Sequence, residues 1–420
     1  MPSLSDKLKS LGVKIGTQDL DSPRLRKPDS LDQVLGGSIE QTSHGDIYLI
    51  KSVYPSGYQY GITTLFASPA MPLLAAWSGD DRIKNYSLES FAFLDTETTG
   101  LFGGTGTYTF LIGVGRFKAD QFHLTQFFMR DPTDEPAILI ALEGLLGTCQ
   151  SLVTFNGKAF DIPLLKTRFI TQGWRNPLTD FAHLDLLHLA RRLWKDRLPS
   201  RTLGNLEAQI LGITRTAEDI PGWMIPEIYF EFLRSGDPQP LKNVVYHNAM
   251  DVLSLASLFV HSSWILAEPL DSRIQDGTDL IAMAKLFENL GELDLAIELY
   301  RRGIERNAPE EFQINALSRL AFIYKRRGEF HLAISCWQNA ASLRDISAFI
   351  ELAKYYEHHI QDYNQALQWT SSALMIIQES QQNPYERMTW ERDLNHRLDR
   401  ISRKAQSLSK RSKHSEHDRP

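Results

Sequence analysis

The 420-residue sequence has few cysteines and no long apolar run, and its basic residues do not exceed its acidic ones. The two cysteines, Cys149 and Cys336, are 187 positions apart and form no CxxC pair. This spacing excludes a disulfide framework and a cysteine zinc site. No segment approaches the roughly 18 consecutive apolar residues of a membrane helix, and no secretory signal opens the chain. We therefore predict a cytoplasmic protein with no membrane association.

The overall charge argues against a protein that coats nucleic acid, because 45 basic residues face 51 acidic ones and the net charge is −6. The distribution is uneven, however. Residues 158–201 contain nine Lys and Arg against four Asp and no Glu, a net charge of +5. This segment is either a basic rim that binds a nucleic-acid strand or a solvated helix face.

The length predicts two or three domains. Residues 1–85 are a lead-in whose function the sequence does not reveal, although residues 46–53 and 58–66 look strand-like. Residues 86–267 contain three consecutive strand-like segments and then strands that alternate with helices. This order predicts an α/β domain with a mixed sheet and flanking helices. Residues 278–408 are helical throughout, and residues 409–420 form a basic tail that we predict to be disordered.

The helical part repeats with a spacing of 37 residues. Small and aromatic residues recur together at this spacing, namely Ala284/Ala321, Phe287/Tyr324, Gly291/Gly328, Ala296/Ala333, Ile297/Ile334 and Tyr300/Trp337. The pattern resembles the tetratricopeptide repeat, whose period is about 34 residues. It predicts an all-α helical-repeat domain of about three degenerate units, which would be a docking surface for a protein partner. The alternative is a helical bundle with coincidental spacing.

Asp95 and Glu97 follow the apolar run of residues 91–94. On a β-strand, positions i and i+2 project to the same face, so the two carboxylates point together. Like charges this close repel each other unless a cation lies between them. Such a pair is a natural ligand for Mg²⁺ or Mn²⁺. The alternative is an acidic pair on a solvated strand edge.

Two further carboxylates lie at helical positions. Asp161 follows Asn156-Gly157 in the first turn of a predicted helix, where a capping role is the ordinary explanation. Asn156 would either support Asp161 or touch a phosphate. His247 and Asp251 are four residues apart and share one face of a long helix, where a simple hydrogen-bonded pair is the ordinary explanation. Asp185 is either a fifth acid of the same site or a helix cap, and capping is favoured.

Together these acids resemble the DEDD exonucleases of the ribonuclease H-like superfamily, and within it the bacterial YprB-like branch. The resemblance covers residues 88–266, and three stretches carry it: residues 93–101 (FLDTETTGL), 103–106 (GGTG) and 246–252 (YHNAMDV). It implies a ribonuclease H-like fold and 3′-to-5′ exonuclease activity on single-stranded DNA or RNA ends. The presence of a tetratricopeptide-like tail after this domain also resembles an arrangement found in that branch.

The resemblance also implies the roles of individual residues. Asp95, Glu97, Asp161 and Asp251 would hold two divalent cations, Mg²⁺ or Mn²⁺, about 4 Å apart. Relatives carry a general base as His five residues, or Tyr four residues, before the last Asp. In this chain the two residue types are exchanged: Tyr246 lies five residues before Asp251, and His247 lies four residues before it.

The four-residue step keeps His247 on the metal face, so we predict His247 as the base and packing for Tyr246. Asn156, Lys158 and Thr98 are predicted to bind the substrate. Two other functions remain open: an inactive nucleic-acid-binding module, and an interaction scaffold that works through the repeats.

Overall fold

The computed structural model describes residues 30–65, 69–100, 106–379 and 384–417, with side chains described as far as residue 407. Residues 1–29 of the predicted lead-in and residues 103–105 of the glycine-rich stretch therefore lie outside the described residues. The strands, numbered in chain order, are β1 (Ser38–Thr42), β2 (Gly45–Tyr54), β3 (Gln59–Tyr60), β4 (Thr63–Thr64), β5 (Phe91–Thr98), β6 (Thr109–Lys118), β7 (Gln121–Phe128), β8 (Ser151–Thr154) and β9 (Ala182–Asp185).

Seven of these strands form one mixed sheet in the order β1-β2-β7-β6-β5-β8-β9. Strands β5, β6 and β7 are antiparallel neighbours, whereas β8 and β9 are added in parallel on the other side of β5. The predicted α/β domain with a mixed sheet is thereby confirmed. The carboxyl ends of β5, β8 and β9 lie at one edge of the sheet because these strands are parallel.

The sheet also extends into the part of the chain that precedes residue 86. Strand β2 pairs with β7 along its length and buries residues 47–50. The hydroxyl of Tyr60 lies 3.1 Å from that of Ser254, far along the chain. Residues 38–60 therefore share a core with the sheet and the helix that covers it, a connection that the sequence did not reveal.

Helices cover both faces of the sheet and form the rest of the chain. In chain order they are α1 (Leu31–Leu35), α2 (Met71–Ser78), α3 (Glu135–Leu146), α4 (Asp161–Thr171), α5 (Leu186–Trp194), α6 (Leu203–Leu206), α7 (Ile225–Ser235), α8 (Leu241–Ala267), α9 (Gly277–Leu290), α10 (Leu293–Glu305), α11 (Glu310–Arg326), α12 (Phe330–Ser342), α13 (Ile346–Tyr355), α14 (Tyr363–Glu379) and α15 (Pro384–His417). A five-residue π-turn, Glu207–Leu211, continues directly from α6.

Two glycines of β6 allow α8 to lie against the sheet. A Cβ atom on Gly113 would lie 2.4 Å from the side-chain oxygen of Asn248, and one on Gly115 would lie 2.7 Å from a methyl of Val252. Any larger residue would push the helix away from the strand. Gly113 pairs with Asp95 across the sheet, so this close approach brings the predicted His247 and Asp251 beside the end of β5.

Helix α8 is long and apolar enough to cross a membrane by length and composition alone, and it is the one such helix among the described residues. However, 78% of its most apolar window is buried inside the protein. This burial is the environment of a core helix, because the apolar side chains already have protein partners.

The chain after α8 is helical, as predicted. Gly291 and Gly328 have φ values of +87° and +76°, and each ends a helix at the turn before the next one. A left-handed residue at this position closes a helix, and glycine adopts it without steric cost. Two ion pairs join this region to the preceding domain, Arg197–Asp279 at 2.8 Å and Lys285–Asp196 at 3.2 Å. The predicted basic tail begins within α15, whose backbone stays helical to His417.

Candidate metal centre

Three elements deliver the four predicted carboxylates. Asp95 and Glu97 lie at the end of β5, Asp161 is the first residue of α4, and Asp251 is on α8. Ligand atoms of Glu97, His247 and Asp251 all lie within 4.8 Å of one another. These three residues could therefore hold one cation, with Asp95 and Asp161 as their charged neighbours.

The pKa values of the four carboxyl groups show how strongly they interact. Burial raises the pKa of Asp95 well above its usual value, and the charges of Asp251, Glu97 and Asp161 raise it further. Burial and the charges of Asp251 and Asp161 do the same to the pKa of Glu97. Burial also raises the pKa of Asp251, although Arg215 offsets part of that rise. Each group thus resists ionisation beside the others unless a cation is present.

Hydrogen bonds fix two of these carboxylates in place. The amide of Asn248, which is fully buried on α8, donates to Oδ2 of Asp95 at 2.8 Å. Its oxygen in turn accepts a hydrogen bond from Gln126 on β7 at 2.9 Å. Thr96 donates to Oδ1 of Asp161 at 2.5 Å, but burial dominates and raises the pKa of Asp161 to about 6. These hydrogen bonds thus hold Asp95 and Asp161 in position.

The predicted substrate-binding residues lie in the loop before α4 and at the end of β5. Asn156 has a φ of +65°, and its backbone N–H donates to Oδ1 of Asp185 at 2.7 Å. The backbone N–H of Lys158 donates to the other oxygen of Asp185 at 3.0 Å, while its side chain is exposed. Thr98 donates to the carbonyl of Gly100.

Asp185 is a cap and not a fifth ligand, because it also accepts the N–H of Leu187 at the start of α5. Its buried carboxylate therefore organises the loop between β8 and α4.

Arg215 is a residue of this site that the sequence did not reveal. Its guanidinium donates to Glu207 through Nε at 2.8 Å and through Nη2 at 2.5 Å. Nη2 also donates to Oδ1 of Asp251. Burial lowers the pKa of Arg215, but the hydrogen bond to Glu207 and the charge of Asp251 raise it more strongly, so the group stays charged.

Asp219 is the second unpredicted residue of the site. Its Oδ1 lies 2.7 Å from Nδ1 of His247, and Nε2 of the same ring lies 3.6 Å from Asp251. A carboxylate beside Nδ1 favours the tautomer that has its proton there, which leaves Nε2 unprotonated on the side of the acids. Tyr246 accepts a hydrogen bond from Thr216 at 3.1 Å, outside this contact.

A cavity of about 700 Å³ opens beside these residues. Its walls come from α6, from the chain between α6 and α7, and from α8. The charged and titratable residues of the wall are Glu207, Arg215, Asp219, His247 and Asp251. A cavity of this size can admit a nucleotide-sized group. The carboxylate oxygens and the single imidazole nitrogen suit a hard or borderline divalent cation such as Mg²⁺ or Mn²⁺.

Part of the basic segment 158–201 is structural. Arg168 is buried and makes a two-pronged ion pair with Glu135 at 2.5 and 2.7 Å. Arg197 is paired with Asp279. The side chains of Lys158, Lys166, Arg191, Arg192 and Lys195 are exposed. Only the exposed part of the segment is therefore a surface that can meet a polyanion.

Comparison with known proteins identifies relatives of this chain. The family model of the RNase_H superfamily matches residues 92–263. "Uncharacterized protein YprB" from Bacillus subtilis (strain 168) is 37% identical over 338 residues, which cover 78% of this chain and 80% of that protein. A solved family B DNA polymerase from the hyperthermophilic archaeon Pyrobaculum calidifontis is 17% identical with a TM-score of 0.32, and the match covers 55% of this chain and 29% of the polymerase chain.

The identity to YprB extends over most of both chains, and the superfamily match spans the strands and helices that carry the four acids. The chain therefore belongs to the YprB family and contains a domain of the ribonuclease H superfamily.

Proposed function

We propose that this protein is a metal-dependent exonuclease that hydrolyses phosphodiester bonds at the ends of single-stranded DNA or RNA, with 3′-to-5′ polarity. The observation that carries the proposal is the set of four half-buried carboxylates whose pKa values are raised by removal from solvent and by one another. Carboxylates clustered in this way lower the stability of the metal-free protein, and they favour the binding of cations. Members of the ribonuclease H superfamily generally hydrolyse phosphodiester bonds.

In this proposal Asp95, Glu97, Asp161 and Asp251 hold two divalent cations. When bound, such cations generate hydroxide from water and stabilise the departing 3′ oxygen. His247 is close enough to Glu97 and Asp251 to be a ligand, but in this proposal it is the base and not a ligand. Its Nε2 accepts the proton of the attacking water, and Asp219 keeps the ring in the required tautomer through Nδ1. Lys158, Asn156 and Thr98 line the approach of the strand.

An exposed aromatic residue supports a single-stranded substrate. Trp223 is 73% exposed and directly follows Gly222, which lines the cavity beside the acids. An exposed indole at this position can stack on an unpaired base, whereas the bases of a duplex are already stacked on each other.

The rival proposal, an inactive nucleic-acid-binding module, explains the acids poorly. A cluster of carboxylates would repel a polyanion unless cations neutralised it. We also propose that the C-terminal helices are tetratricopeptide-like repeats that dock a protein partner, because the turn glycines Gly291 and Gly328 and the buried Ala284 and Ala321 recur with one spacing.

The proposal is tested with the full-length protein and single-stranded DNA and RNA, labelled in parallel at the 5′ or the 3′ end. With Mn²⁺ or Mg²⁺, the 5′-labelled strands should shorten stepwise while the 3′ label is released at once as a mononucleotide. EDTA should stop both. Binding without any shortening under either metal would instead support the inactive module.

A further inference from the structure

We propose that Arg215 binds the phosphate group of the substrate at the cleavage site and that Glu207 is the residue that positions it. This inference rests on the nuclease function proposed above. It assigns a role to a charged pair that lies outside the four-acid pattern, and it identifies the cavity beside the acids as the place where the terminal nucleotide lies.

Arg215 is held in a fixed orientation by Glu207. Glu207 is 2% exposed, and both of its carboxylate oxygens accept hydrogen bonds from the guanidinium, from Nη2 at 2.5 Å and from Nε at 2.8 Å. Such two-pronged pairs fix the plane of the guanidinium and its direction. Glu207 begins the π-turn that follows α6, a rare geometry that is frequently found at functional sites. The ion pair with Glu207 thus fixes the guanidinium, and one edge of Arg215 points towards the acids and the cavity.

One nitrogen of Arg215, Nη1, makes weaker hydrogen bonds than the other two. A guanidinium has five N–H groups, and Nε and Nη2 are taken by Glu207 and Asp251. Among the residues that the structure describes, Nη1 makes only long contacts, 3.3 and 3.4 Å to Asp219 and 3.3 Å to Nδ1 of His247. In the tautomer described above, Nδ1 carries a proton and donates a hydrogen bond to Asp219. It therefore cannot also accept a hydrogen bond from Nη1.

Arg215 also lies in the wall of the cavity beside the acids. Arg215 and Glu207 line the same 700 Å³ cavity as His247 and Asp251, and the arginine side chain is still 14% accessible. A strand whose terminal phosphate reached the acids would place that phosphate beside Nη1. Arginine is well suited to this position, since Glu207 can hold Nε and Nη2 while the N–H groups of Nη1 face the phosphate, whereas lysine has a single nitrogen.

The simplest other role for Arg215 is to neutralise Asp251 and Asp219 before the cations bind. That role would need only a charge, and it would end when cations take over the carboxylates. A phosphate-binding role instead predicts effects on the substrate when the metals are already bound. The two roles therefore separate in experiments at saturating metal.

The test compares Arg215→Lys and the double variant Glu207→Gln/Arg215→Gln with the wild-type protein. The double variant removes both charges of the buried pair together and keeps hydrogen-bonding groups in their place, so neither partner is left as an unpaired buried charge. Arg344→Gln is the matched control, because Arg344 makes one exposed ion pair, with Glu379, in the helical region. Melting temperatures and Mn²⁺ titrations establish that each variant is folded and binds metal.

Two quantities are measured at saturating Mn²⁺ or Ca²⁺. The first is kcat/KM on a single-stranded oligonucleotide in Mn²⁺, which should fall by about 10-fold or more in both Arg215 variants. The second is the salt dependence of oligonucleotide affinity in Ca²⁺, with the integrity of the strand checked on gels. Loss of one phosphate contact should reduce the slope of log K against log salt by about 0.7 in the double variant. Arg215→Lys should keep the slope, and Arg344→Gln should change neither quantity.

If the double variant, folded and loaded with metal, keeps the wild-type salt slope and kcat/KM, Arg215 only neutralises the acids and the inference is wrong. If the double variant does not fold, an unchanged kcat/KM in Arg215→Lys overturns the inference by itself. If the wild-type protein neither binds nor cleaves strands, the proposed function fails and the inference fails with it. These results differ, so the failure of one proposal is not mistaken for the failure of the other.

Discussion

Nδ1 of His247 lies 2.7 Å from Oδ1 of Asp219, and the opposite nitrogen of the same ring faces the acids of β5 and α8. The two residues are 28 positions apart, in an irregular segment and on a helix. This contact fixes the orientation of the His247 ring. The chemistry assigned to His247 depends on this orientation, which makes Asp219 as testable as His247 itself.

Replacing His247 with Ala should lower kcat by about 100-fold or more, since a positioned general base contributes at least this much. Asp219→Asn should lower kcat as well, but by less, because the ring stays while its tautomer is no longer fixed. Neither change should alter KM strongly. The measurement is steady-state hydrolysis of a labelled single strand in Mn²⁺. A normal kcat in Asp219→Asn would show that the carboxylate does not orient the base.

The stability of the metal-free protein should fall as the pH rises from 4 to 6. Asp161 has its pKa raised from 3.8 to about 6 by burial, so the folded state holds a proton in this range that the unfolded state has lost. The raised pKa of Asp161 therefore makes its full contribution to the free energy of unfolding below pH 3.8, and this contribution is lost as the pH rises through 6. Urea unfolding in EDTA at several pH values should show a smaller loss in Asp161→Asn than in the wild-type protein.

Asp279 offers a matched control for that experiment. Burial also raises its pKa to about 6, but its partner is Arg197 and it lies outside the four-acid cluster. Mn²⁺ at pH 7 should stabilise the wild-type protein and Asp279→Asn equally, and Asp161→Asn clearly less. An equal gain in all three proteins would mean that Asp161 is not part of the metal site.

The buried Arg168–Glu135 pair should matter for stability and not for substrate binding. Glu135→Ala should lower the free energy of unfolding by about 3–5 kcal/mol, because it leaves a buried guanidinium without its main charge partner. Glu135→Leu/Arg168→Met should be much less harmful, since both charges are removed together. Denaturant titrations and strand-binding assays check this. Weaker strand binding by the folded double variant would place Arg168 in the nucleic-acid surface after all.

Trp223→Ala should weaken binding of a single strand by about 10-fold, within the range expected for the loss of one stacked base. Binding of a blunt duplex should change little. Phe322→Ala is the control, because Phe322 is also an exposed aromatic residue, at 55%, but lies on α11. Fluorescence anisotropy with both substrates measures the difference. Equal weakening by both variants would remove Trp223 from the substrate path.

The sequence predicted those parts of the site whose signals are local. Asp95 and Glu97 are two residues apart at a strand end, and His247 and Asp251 are one helical turn apart, so period and spacing alone place each pair on one face. The mixed sheet was predictable for the same reason, because strand-like and helix-like patterns alternate along residues 86–267.

The residues that the sequence did not reveal all depend on long-range packing. Glu207 lies in a π-turn with no periodic pattern, and Arg215 and Asp219 lie in the irregular chain before α7. The four-residue step from Arg215 to Asp219 is a local signal, but it also fits an ordinary surface ion pair. Strand β2 was recognisable as a strand, yet its pairing with β7 was not, because strand partners are chosen by tertiary contacts.

The basic segment illustrates a similar limit. Counting charges over residues 158–201 cannot distinguish Arg168, which is buried against Glu135, from Lys158, which is exposed. Both add one positive charge to the sum, but only the exposed one can meet a polyanion. Burial is a property of the fold, so a local charge count overestimates the surface that is available for binding.

The most direct test of the account is the hydrolysis of an end-labelled single strand by the wild-type protein and by Asp95→Asn, each with Mn²⁺ and with EDTA. Asp294→Asn is the control, because Asp294 is 90% exposed in the helical region and pairs only with Arg327 among the described residues. We expect stepwise shortening by the wild-type protein and Asp294→Asn in Mn²⁺, and none by Asp95→Asn or in EDTA. Shortening by Asp95→Asn at the wild-type rate, or in EDTA, would contradict the central claim that the four carboxylates form a metal-dependent nuclease site.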